Sequence, residues 1–453
     1  MAFLVLAAVA AVVWAVGHYA GVHISGTLLF SLRWAALLAF VGYAWARRSL
    51  TVWIFAGMLI GAEIGHDLPE FAKNLQILSA IFLRLIKTIV APLVFGTLVV
   101  GIAGHADLKQ VGRMGIKALL YFEVVTTIAL FIGLGAINLS QAGAGVPRPD
   151  NITVAAPAAP PTKAADVILH IFPENIAKSV AEGQVLQVVV FSIIFAIGLA
   201  LLGESKRRPM LEFCESLSEV MFKFTNIVMF FAPFGVCGAM AYTVASGGFG
   251  VLVNLFKLLL TLYAALAVFL VVVLLPIALI ARLPLKRFIQ AVAEPVSIAF
   301  ATASSEAALP RALEKMEAFG VPRQIVAFVL PTGYSFNLDG STLYLSLASI
   351  FVAQAAGVHL SFGQQLIMVF TLMVTSKGVA GVPRAMLVIL LGTVDSFHLP
   401  LWPVFIILGI DQLMDMARTA TNVLGNCLAT AVIARWEGEL GTESPSPTVM
   451  EAL

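Results

Sequence analysis

Long apolar runs constrain this chain more than any other feature of its sequence. Each is about 20 residues long, enough to span the hydrocarbon core of a bilayer as a helix. They lie near residues 3–20, 27–46, 50–66, 76–103, 115–138, 187–204, 219–245 and 252–281. Only 11% of the 453 residues are charged, too few to cover a soluble protein of this length. The sequence therefore predicts an all-α polytopic membrane protein.

Charge and motif content exclude several classes of protein. The formal net charge is only +2, which gives no basis for nucleic-acid binding. Cys214, Cys237 and Cys427 lie in or beside apolar segments without metal-ligand spacing, so we interpret them as packing residues. The sequence contains no nucleophile elbow, His-Glu-x-x-His motif or Walker loop. We therefore predict no enzyme, no catalytic residue, no cofactor and no certain metal site, with a channel or a membrane enzyme as the alternative.

After residue 285 the apolar stretches become short and are interrupted by small polar residues. Three pairs of half-length segments occupy residues 286–302 and 308–318, 325–336 and 342–356, and 364–375 and 385–396, before a last span at 401–435. Interrupted helices survive at membrane depth only where they are buried in protein or line a cavity. The order, a hairpin followed by a span, occurs twice. We therefore expect two re-entrant helical hairpins and broken helices arranged as inverted repeats, with ordinary loops between short helices as the alternative.

Lysine and arginine residues predict the orientation in the membrane. They cluster at positions 47–48, 109–117, 206–208, 282–287 and 315–323. Counting crossings from a cytoplasmic N-terminus places every cluster inside, as the positive-inside rule requires. The first re-entrant hairpin then enters from the cytoplasm and the second from outside.

The two ends of the chain and one loop carry no recognisable chemistry. Residues 1–49 are interpreted as an additional membrane hairpin because the apolar start lacks the basic n-region of a secretory signal; a cleaved signal is the alternative. Residues 139–166 are rich in Ala, Pro and Gly, which predicts a flexible external loop. The polar tail, residues 437–453, is expected to be disordered.

The last span carries a stripe of polar residues in an otherwise apolar segment. At about 100° per residue, these residues fall within roughly a third of the helix circumference. They are Asp411, Asp415, Arg418, Thr419, Asn422 and Asn426. Ionisable groups at membrane depth are costly and normally face a cavity or a partner. Arg418 can bind a carboxylate and Asp415 an ammonium group, so one face suits both ends of a zwitterionic acid, with a purely structural Asp–Arg pair as the alternative.

The interrupted segments supply complementary groups. Asn337-Leu338-Asp339-Gly340 combines a carboxylate, an amide and backbone carbonyls, which suits a cation or a proton. Ser304 and Ser305 begin a half-helix whose N–H groups can hold an anionic substrate. Two acids, Glu306 in the first hairpin tip and Glu123 within the 115–138 span, are candidates to carry a proton, since burial favours a neutral carboxyl group. Their alternatives are a helix-start residue and a hydrogen-bonded packing acid.

These motifs resemble those of the dicarboxylate/amino acid:cation symporter family, the glutamate transporters, over about residues 50–436. The residues that carry the resemblance are Ser304-Ser305-Glu306, Asn337-Leu338-Asp339-Gly340, Ser376-Lys377-Gly378-Val379-Ala380-Gly381-Val382-Pro383 and the run from Asp411 to Asn422. Residues 331–344 look almost identical to their counterpart in a proton-coupled bacterial member.

The resemblance implies an acidic amino acid importer of the bacterial cytoplasmic membrane, a homotrimer working as an elevator. Residues 50–110 and 139–250 would form a scaffold, and residues 111–138 and 251–436 the mobile transport domain. Arg418 would bind the side-chain carboxylate of glutamate or aspartate and Asp415 its amino group. Thr419, Asn422 and the Ser305 region would hold the α-carboxylate. Ala380 and Gly381 in the second hairpin would contact the substrate and form the outer gate.

Departures from the sodium-coupled pattern concern the cation ligands. Sodium-coupled members have an aspartate where this chain has Asn426, and their Tyr-Tyr-x-x-Thr-Ser motif is Tyr121-Phe122-Glu123-Val124-Val125-Thr126 here. Fewer cation oxygens and extra acids predict proton coupling. Sodium coupling is the alternative, because Gly333, Asn337, Asp339, Asn422 and Asn426 keep oxygens in place. A C4-dicarboxylate substrate is the other alternative. Arg384, after the gate motif, also departs from the family, and its role is not predicted.

Overall fold

In the computed structural model, the described residues are 9, 25–103, 110–147, 172–182, 184–248, 250–376, 385–397 and 399–441. Within these ranges every regular element is a helix, which confirms the all-α prediction. Four stretches are long and apolar enough to cross a membrane, and a bent pair of helices adds a fifth. The four are Gly26–Arg47, Pro69–Ala103, Met114–Ser140 and Gly250–Ile280. The predicted span at 3–20 lies outside the described residues.

The helix nearest the N-terminus among the described residues is joined to the next one by ionic contacts and hydrogen bonds. Helices α1 (Gly26–Arg47) and α2 (Leu50–Asp67) lie side by side. Arg33 Nη2 donates to Asp67 Oδ1 at 2.6 Å, and its Nε lies 3.1 Å from Glu63 Oε2. Trp34 Nε1 donates to the other Asp67 oxygen at 2.8 Å. These polar contacts link the N-terminal half of α1 to the C-terminal end of α2.

Helix α3 (Pro69–Asn74), α4 (Gln76–Ala103) and α5 (Gln110–Ser140) continue the chain. Further along the chain come α6 (Ile176–Ala181), α7 (Val185–Ala200), α8 (Glu204–Met229) and α9 (Ala232–Gly247). The span predicted at 219–245 is not one helix, because α8 and α9 meet at an angle of 50°. Pro233 lies in the first turn of α9. A proline has no N–H for the helical ladder and clashes with the preceding turn, so the helix ends and restarts there.

Helices α2 and α9 pack backbone to backbone. A side-chain carbon placed on Gly61 would lie 2.3 Å from the backbone oxygen of Cys237, and one on Gly57 would lie 2.3 Å from that of Pro233. The two glycines are one helical turn apart and therefore share a face. Small residues at this spacing allow membrane helices to approach closely, where packing rather than the hydrophobic effect drives association.

The span predicted at 252–281 contains three helical pieces. Helix α10 (Gly250–Phe269) continues through a π-helical turn, Leu270–Leu274, into α11 (Leu275–Ile280). Pro276 lies in the first turn of α11 and removes one backbone donor, which accounts for the change of pitch at this point. The stretch remains long enough to cross the membrane.

The first re-entrant hairpin and the broken span are present as predicted. The hairpin consists of α12 (Leu285–Thr302) and α13 (Ser305–Phe319), separated by two residues. Ala303 adopts a left-handed backbone, φ 51°, and the Ser304 hydroxyl accepts from Ala307 N–H at 3.3 Å, capping α13. The broken span consists of α14 (Arg323–Phe336) and α15 (Asp339–Ala356). Asp339 therefore begins the second half-helix instead of lying in the break.

The second hairpin is described only in its two arms, α16 (Phe362–Thr375) and α17 (Ala385–Ser396). Its tip, including Ala380, Gly381 and Arg384, lies outside the described residues. The final helix, α18 (Trp402–Glu437), is 36 residues long and packs against both arms of the first hairpin and both halves of the broken span. Most of its residues from Trp402 to Ala434 are buried.

Hydrogen bonds tie the C-terminal end of α18 to two neighbouring helices. Arg435 donates from Nε to the Ala281 carbonyl at 3.1 Å and from Nη2 to the Arg282 carbonyl at 3.0 Å, at the end of α11. Lys117 of α5 donates to Glu437 Oε1 at 2.6 Å and lies 3.2 Å from the Trp436 carbonyl. We call these contacts the inner clamp.

Candidate functional site

The polar stripe lies on one unbroken, buried helix. Its six members all belong to α18 and are at most 5% exposed. The stripe contacts the broken span through Asn422 and Asn426, and the same helix also packs against the first hairpin. The structure divides the stripe into a charged cluster nearer the N-terminal end of α18 and an amide cluster one to two turns further along.

The charged cluster is centred on Arg418, which is 1% exposed. Its Nε donates to Asp415 Oδ1 at 2.8 Å and its Nη1 to Asp411 Oδ1 at 3.3 Å. The Thr419 hydroxyl donates to the same Asp415 oxygen at 3.0 Å. The guanidinium carbon lies 4.2 Å from the ring centre of Tyr344, whose hydroxyl is 3.4 Å from Asp411 Oδ1. The site thus holds its charges through ion pairing and a cation–π contact.

Burying this cluster is costly, and the arginine is only partly satisfied. Two carboxylates and one guanidinium are withdrawn from water, which costs free energy unless each group is paired and hydrogen-bonded. Arg418 Nη2 is buried and has no hydrogen-bond partner among the described residues. A planar guanidinium with a spare donor can bind a carboxylate, and a carboxylate such as Asp415 can bind an ammonium group.

The amide cluster forms where the break between α14 and α15 meets α18. Asn337 is fully buried, and its Nδ2 donates to Asp339 Oδ2 at 3.3 Å and to Asn426 Oδ1 at 3.2 Å. Asn422 donates to the Ser341 hydroxyl at 2.8 Å and accepts from Ser341 N–H at 3.2 Å. Side-chain amides thus satisfy backbone and hydroxyl groups that the break in the helix exposes.

Glycines allow the two sides of this cluster to approach. A side-chain carbon on Gly425 would lie 1.9 Å from Asp339 Oδ2, and one on Gly333 would lie 2.1 Å from Asn426 Oδ1. Neither distance is compatible with a larger residue, so the oxygens sit against bare backbone. The sequence analysis identified Gly333 but missed Gly425.

Several buried polar atoms in and beside this cluster have no hydrogen-bond partner in the described part of the chain. They are Asn337 Oδ1, Asn426 Nδ2 and the hydroxyl groups of Tyr121 and Tyr334. Carboxylate, amide and carbonyl oxygens suit a small hard cation, and a neutral carboxyl group or water can satisfy them as well. Over the described ranges, no group of three or more His, Cys, Asp or Glu side chains is arranged to hold a metal ion.

The remaining predicted residues lie at the first hairpin or on α5. Ser304 is half-buried and serves as the cap of α13, while Ser305 is 3% exposed in its first turn. Glu306 lies in the same turn but is exposed on the protein surface, so the burial assumed for it in the sequence analysis is not seen. Glu123 is half-buried, and the Thr127 hydroxyl lies 3.4 Å from its Oε1. The predicted site residues Ala380 and Gly381 lie outside the described residues.

Sequence reasoning also missed Tyr344 and Ser341 as site residues. Both follow the Asn-Leu-Asp-Gly motif within two helical turns, on the half-helix that begins at Asp339. Ser341 and Tyr344 are three residues apart and share a face of that half-helix, but they lie two and five residues from Asp339, so helical spacing from the motif did not indicate them.

A buried polar site where a broken helix meets a long helix, among helices that can span a membrane, is typical of a secondary transporter. Comparison with known proteins agrees with this class. Residues 50–436 match the sequence profile of the sodium:dicarboxylate symporter family, and the chain belongs to that family. The predicted family resemblance and the prediction of a symporter are thereby confirmed, as is that of an integral protein of a bacterial inner membrane.

Three relatives illustrate the range of the family. The chain is 44% identical to the proton/glutamate-aspartate symporter of Escherichia coli (strain K12), over 90% of this chain and 93% of that protein. It is 42% identical to the proton/sodium-glutamate symport protein of Bacillus caldotenax, over 89% of this chain and 96% of that one. It is 41% identical to a C4-dicarboxylate transport protein of Pseudomonas savastanoi pv. phaseolicola, over 87% of each.

Proposed function

We propose that this protein imports glutamate or aspartate by symport with protons. The observation that carries the proposal is the buried charged cluster on one face of α18, in which Arg418 Nε lies 2.8 Å from Asp415 Oδ1. An acidic amino acid presents a carboxylate and an ammonium group, the two partners that these side chains bind.

The substrate would exchange contacts within this cluster. Its side-chain carboxylate binds Arg418, whose Nη2 is a buried donor without a partner in the described residues. Its ammonium group binds Asp415, which now accepts from Arg418 and Thr419. Thr419, Asn422 and the first-hairpin residues Ser304 and Ser305 hold the α-carboxylate. The ion pairs seen here therefore keep the charged groups satisfied until the substrate replaces them.

A C4-dicarboxylate is the second candidate substrate, favoured by relatives that carry this name at 41% identity. Such a solute has no ammonium group for Asp415. A binding site built to pair a charged group discriminates strongly against an analogue that lacks the partner, because the buried charge is left without compensation. This argument favours the amino acid.

Proton coupling rests on the amide at position 426. Asn426 lies 3.2 Å from Asn337, next to Asp339, where sodium-coupled members carry a carboxylate. Exchanging a carboxylate for an amide removes one negative charge and weakens the attraction for a cation. Glu306 and Glu123 are the candidate proton carriers. Sodium coupling is the alternative, since a relative named for both ions is 42% identical to this chain.

The packing supports a division into two bodies. Helices α2, α4, α7, α8 and α9 pack mainly on one another, whereas α5, α10 and the helices from α12 onward pack mainly among themselves, around α15 and α18. We assign the first group to a scaffold that forms a homotrimer and the second to a transport domain that moves as an elevator. The second hairpin, with Ala380 and Gly381, is the outer gate.

Uptake into vesicles reconstituted with the purified protein tests substrate and coupling together. In sodium-free buffer, an inward proton gradient should drive accumulation of labelled glutamate or aspartate, and collapse of the gradient should abolish it. Accumulation that strictly requires sodium would refute proton coupling. Succinate that competes with glutamate at a comparable concentration would refute the amino-acid assignment.

Two variants assign residues within the same assay. Asp415→Asn should raise the concentration of glutamate needed for half-maximal uptake by about tenfold or more, because a charge-assisted hydrogen bond is lost.

Glu306→Gln should reduce net uptake more than exchange of internal for external substrate, since exchange needs no proton release. A Glu306→Gln protein with unchanged proton dependence removes this residue from the coupling step and leaves Glu123.

A further inference from the structure

A cavity separate in sequence from the polar site lies where α1 ends and α2 begins. It occupies about 730 Å³ between these helices and the bend that separates α8 from α9. This volume is within the range of about 300–1,000 Å³ that is typical of small-molecule sites. The backbone contact of Gly57 with Pro233 closes it on the side of the protein interior.

The walls of the cavity are almost entirely apolar. Trp45 of α1 and Trp53 of α2 meet edge to face, with ring centres 6.3 Å apart, and Phe230 and Phe234 at the bend complete the lining. Trp45, Phe230 and Phe234 are exposed, so the cavity opens towards the surroundings of the protein rather than into its core. In a membrane protein these surroundings are lipid.

One charged residue lines the cavity, Arg48, immediately after the end of α1. It is exposed and forms no ion pair with any described acidic residue. The neighbouring Arg47 differs, because its Nε donates to the Tyr43 hydroxyl at 3.1 Å and its guanidinium lies over the Tyr43 ring. The distribution of basic residues places both arginines at the cytoplasmic face.

We propose that this cavity binds an anionic phospholipid of the inner leaflet, with an acyl chain between the aromatic walls and the phosphate at Arg48. An apolar cavity open to lipid accepts an acyl chain, and tryptophan is enriched at the level of the lipid headgroups. The arginine fork matches a phosphodiester, and an anionic headgroup adds no competing positive charge.

The site depends on the N-terminal helix. Trp45 and Arg48 precede residue 50, where the match to the family begins. The additional helix therefore supplies one wall and the only charged group of the cavity. A member of the family that begins at α2 would present an open surface at this point. The proposal is independent of the transported substrate.

Native mass spectrometry of the full-length protein in detergent tests the proposal. The protein is titrated with phosphatidylglycerol or with phosphatidylcholine of the same acyl chains, and the bound lipid is counted per protomer. The wild type should bind phosphatidylglycerol about tenfold more tightly, since the charge-assisted contact is made without a competing ammonium. Arg48→Gln should remove this preference, and Arg47→Gln, the matched control, should keep it.

Two outcomes of that titration would overturn the proposal. An unchanged preference in Arg48→Gln means that Arg48 does not bind the phosphate. Equal losses in Arg47→Gln and Arg48→Gln mean that surface charge, and not the cavity, attracts the lipid.

A second variant and a cross-linking experiment test the cavity itself. Trp45→Ala removes one wall from an exposed position and should weaken binding of both lipids, whereas unchanged binding contradicts the cavity as the site. A photoreactive benzophenone in place of Phe234 in the full chain should attach to lipid. Attachment to a second copy of the protein, or to a peptide from residues 1–24 of the same chain, identifies another occupant and overturns the proposal.

Discussion

Under the proposed function, Asn426 is the residue expected to have the largest effect on whether a proton or a sodium ion is co-transported. Its amide oxygen accepts from Asn337 at 3.2 Å, in a cluster that already contains the carboxylate of Asp339. Asn426→Asp would place a second carboxylate beside the first at almost unchanged volume. Two like charges in a buried space repel unless a proton or a cation lies between them.

We therefore expect Asn426→Asp to make uptake at neutral pH depend on sodium. In reconstituted vesicles, about 100 mM sodium should stimulate the variant at least about fivefold more than potassium does. The ionic strength is the same in both buffers, so charges are screened equally. Asn74→Asp, an exposed position with the same change of charge, is the control and should respond to neither ion. An Asn426→Asp protein indifferent to sodium would show that this position does not contribute to cation choice.

Helical spacing predicts the polar stripe residue by residue, but not the partners of its members. The alignment of Asp411, Asp415 and Arg418 follows from their positions in the sequence. By contrast, Tyr344 lies against Arg418 and Gly425 against Asp339 only because two distant helices meet there. Such proximity has no local signal in a single sequence. The pairing of Arg418 with Asp415, three residues apart on one face, was the structural alternative that spacing offered.

At the level of elements, small and polar residues in the sequence predict where most of the apolar helices are interrupted. One further bend is set by the position of a proline. The hairpin at Ala303 and the break at Asn337 coincide with polar motifs, and both are present. The bend before Pro233 was missed because its surroundings are uniformly apolar, so hydropathy continues through it. Its position depends on the missing N–H of one residue.

The close packing of α2 on α9 leads to a prediction at this scale. Gly61→Ala would place a carbon 2.3 Å from the backbone oxygen of Cys237, where no flexible side chain can move away. We expect a loss of about 1–3 kcal/mol in the free energy of unfolding, as in other overpacked interiors. The measurement is the melting temperature of the purified protein in detergent, which should fall.

Gly198→Ala is the matched control for that substitution. Gly198 also lies within an apolar helix, but nothing stands within 4 Å of an added carbon. Its melting temperature should stay unchanged or rise slightly, because alanine favours a helix over glycine. Equal effects of the two substitutions would contradict the packing argument.

For the whole molecule, the distribution of lysine and arginine predicts which side of the membrane each loop faces. With the three native cysteines replaced, Gln141→Cys should react with a membrane-impermeant thiol reagent added outside intact cells, and Lys206→Cys should react only after permeabilisation. Both positions are exposed, so the difference measures sidedness alone. Labelling of Lys206→Cys in intact cells would invert the orientation, and with it the inner-leaflet assignment of the lipid site.

The inner clamp has a consequence for how the site can change its exposure. Arg435 and Lys117 fasten the last turn of α18 to α11 and α5, so a twist of α18 about its own axis would break three or more hydrogen bonds at once. The α18 residues of the charged and amide clusters lie on this same continuous helix. The polar residues therefore cannot swivel individually from one compartment to the other. A movement that transfers these residues from one side of the membrane to the other must therefore move α5 and α11 together with α18.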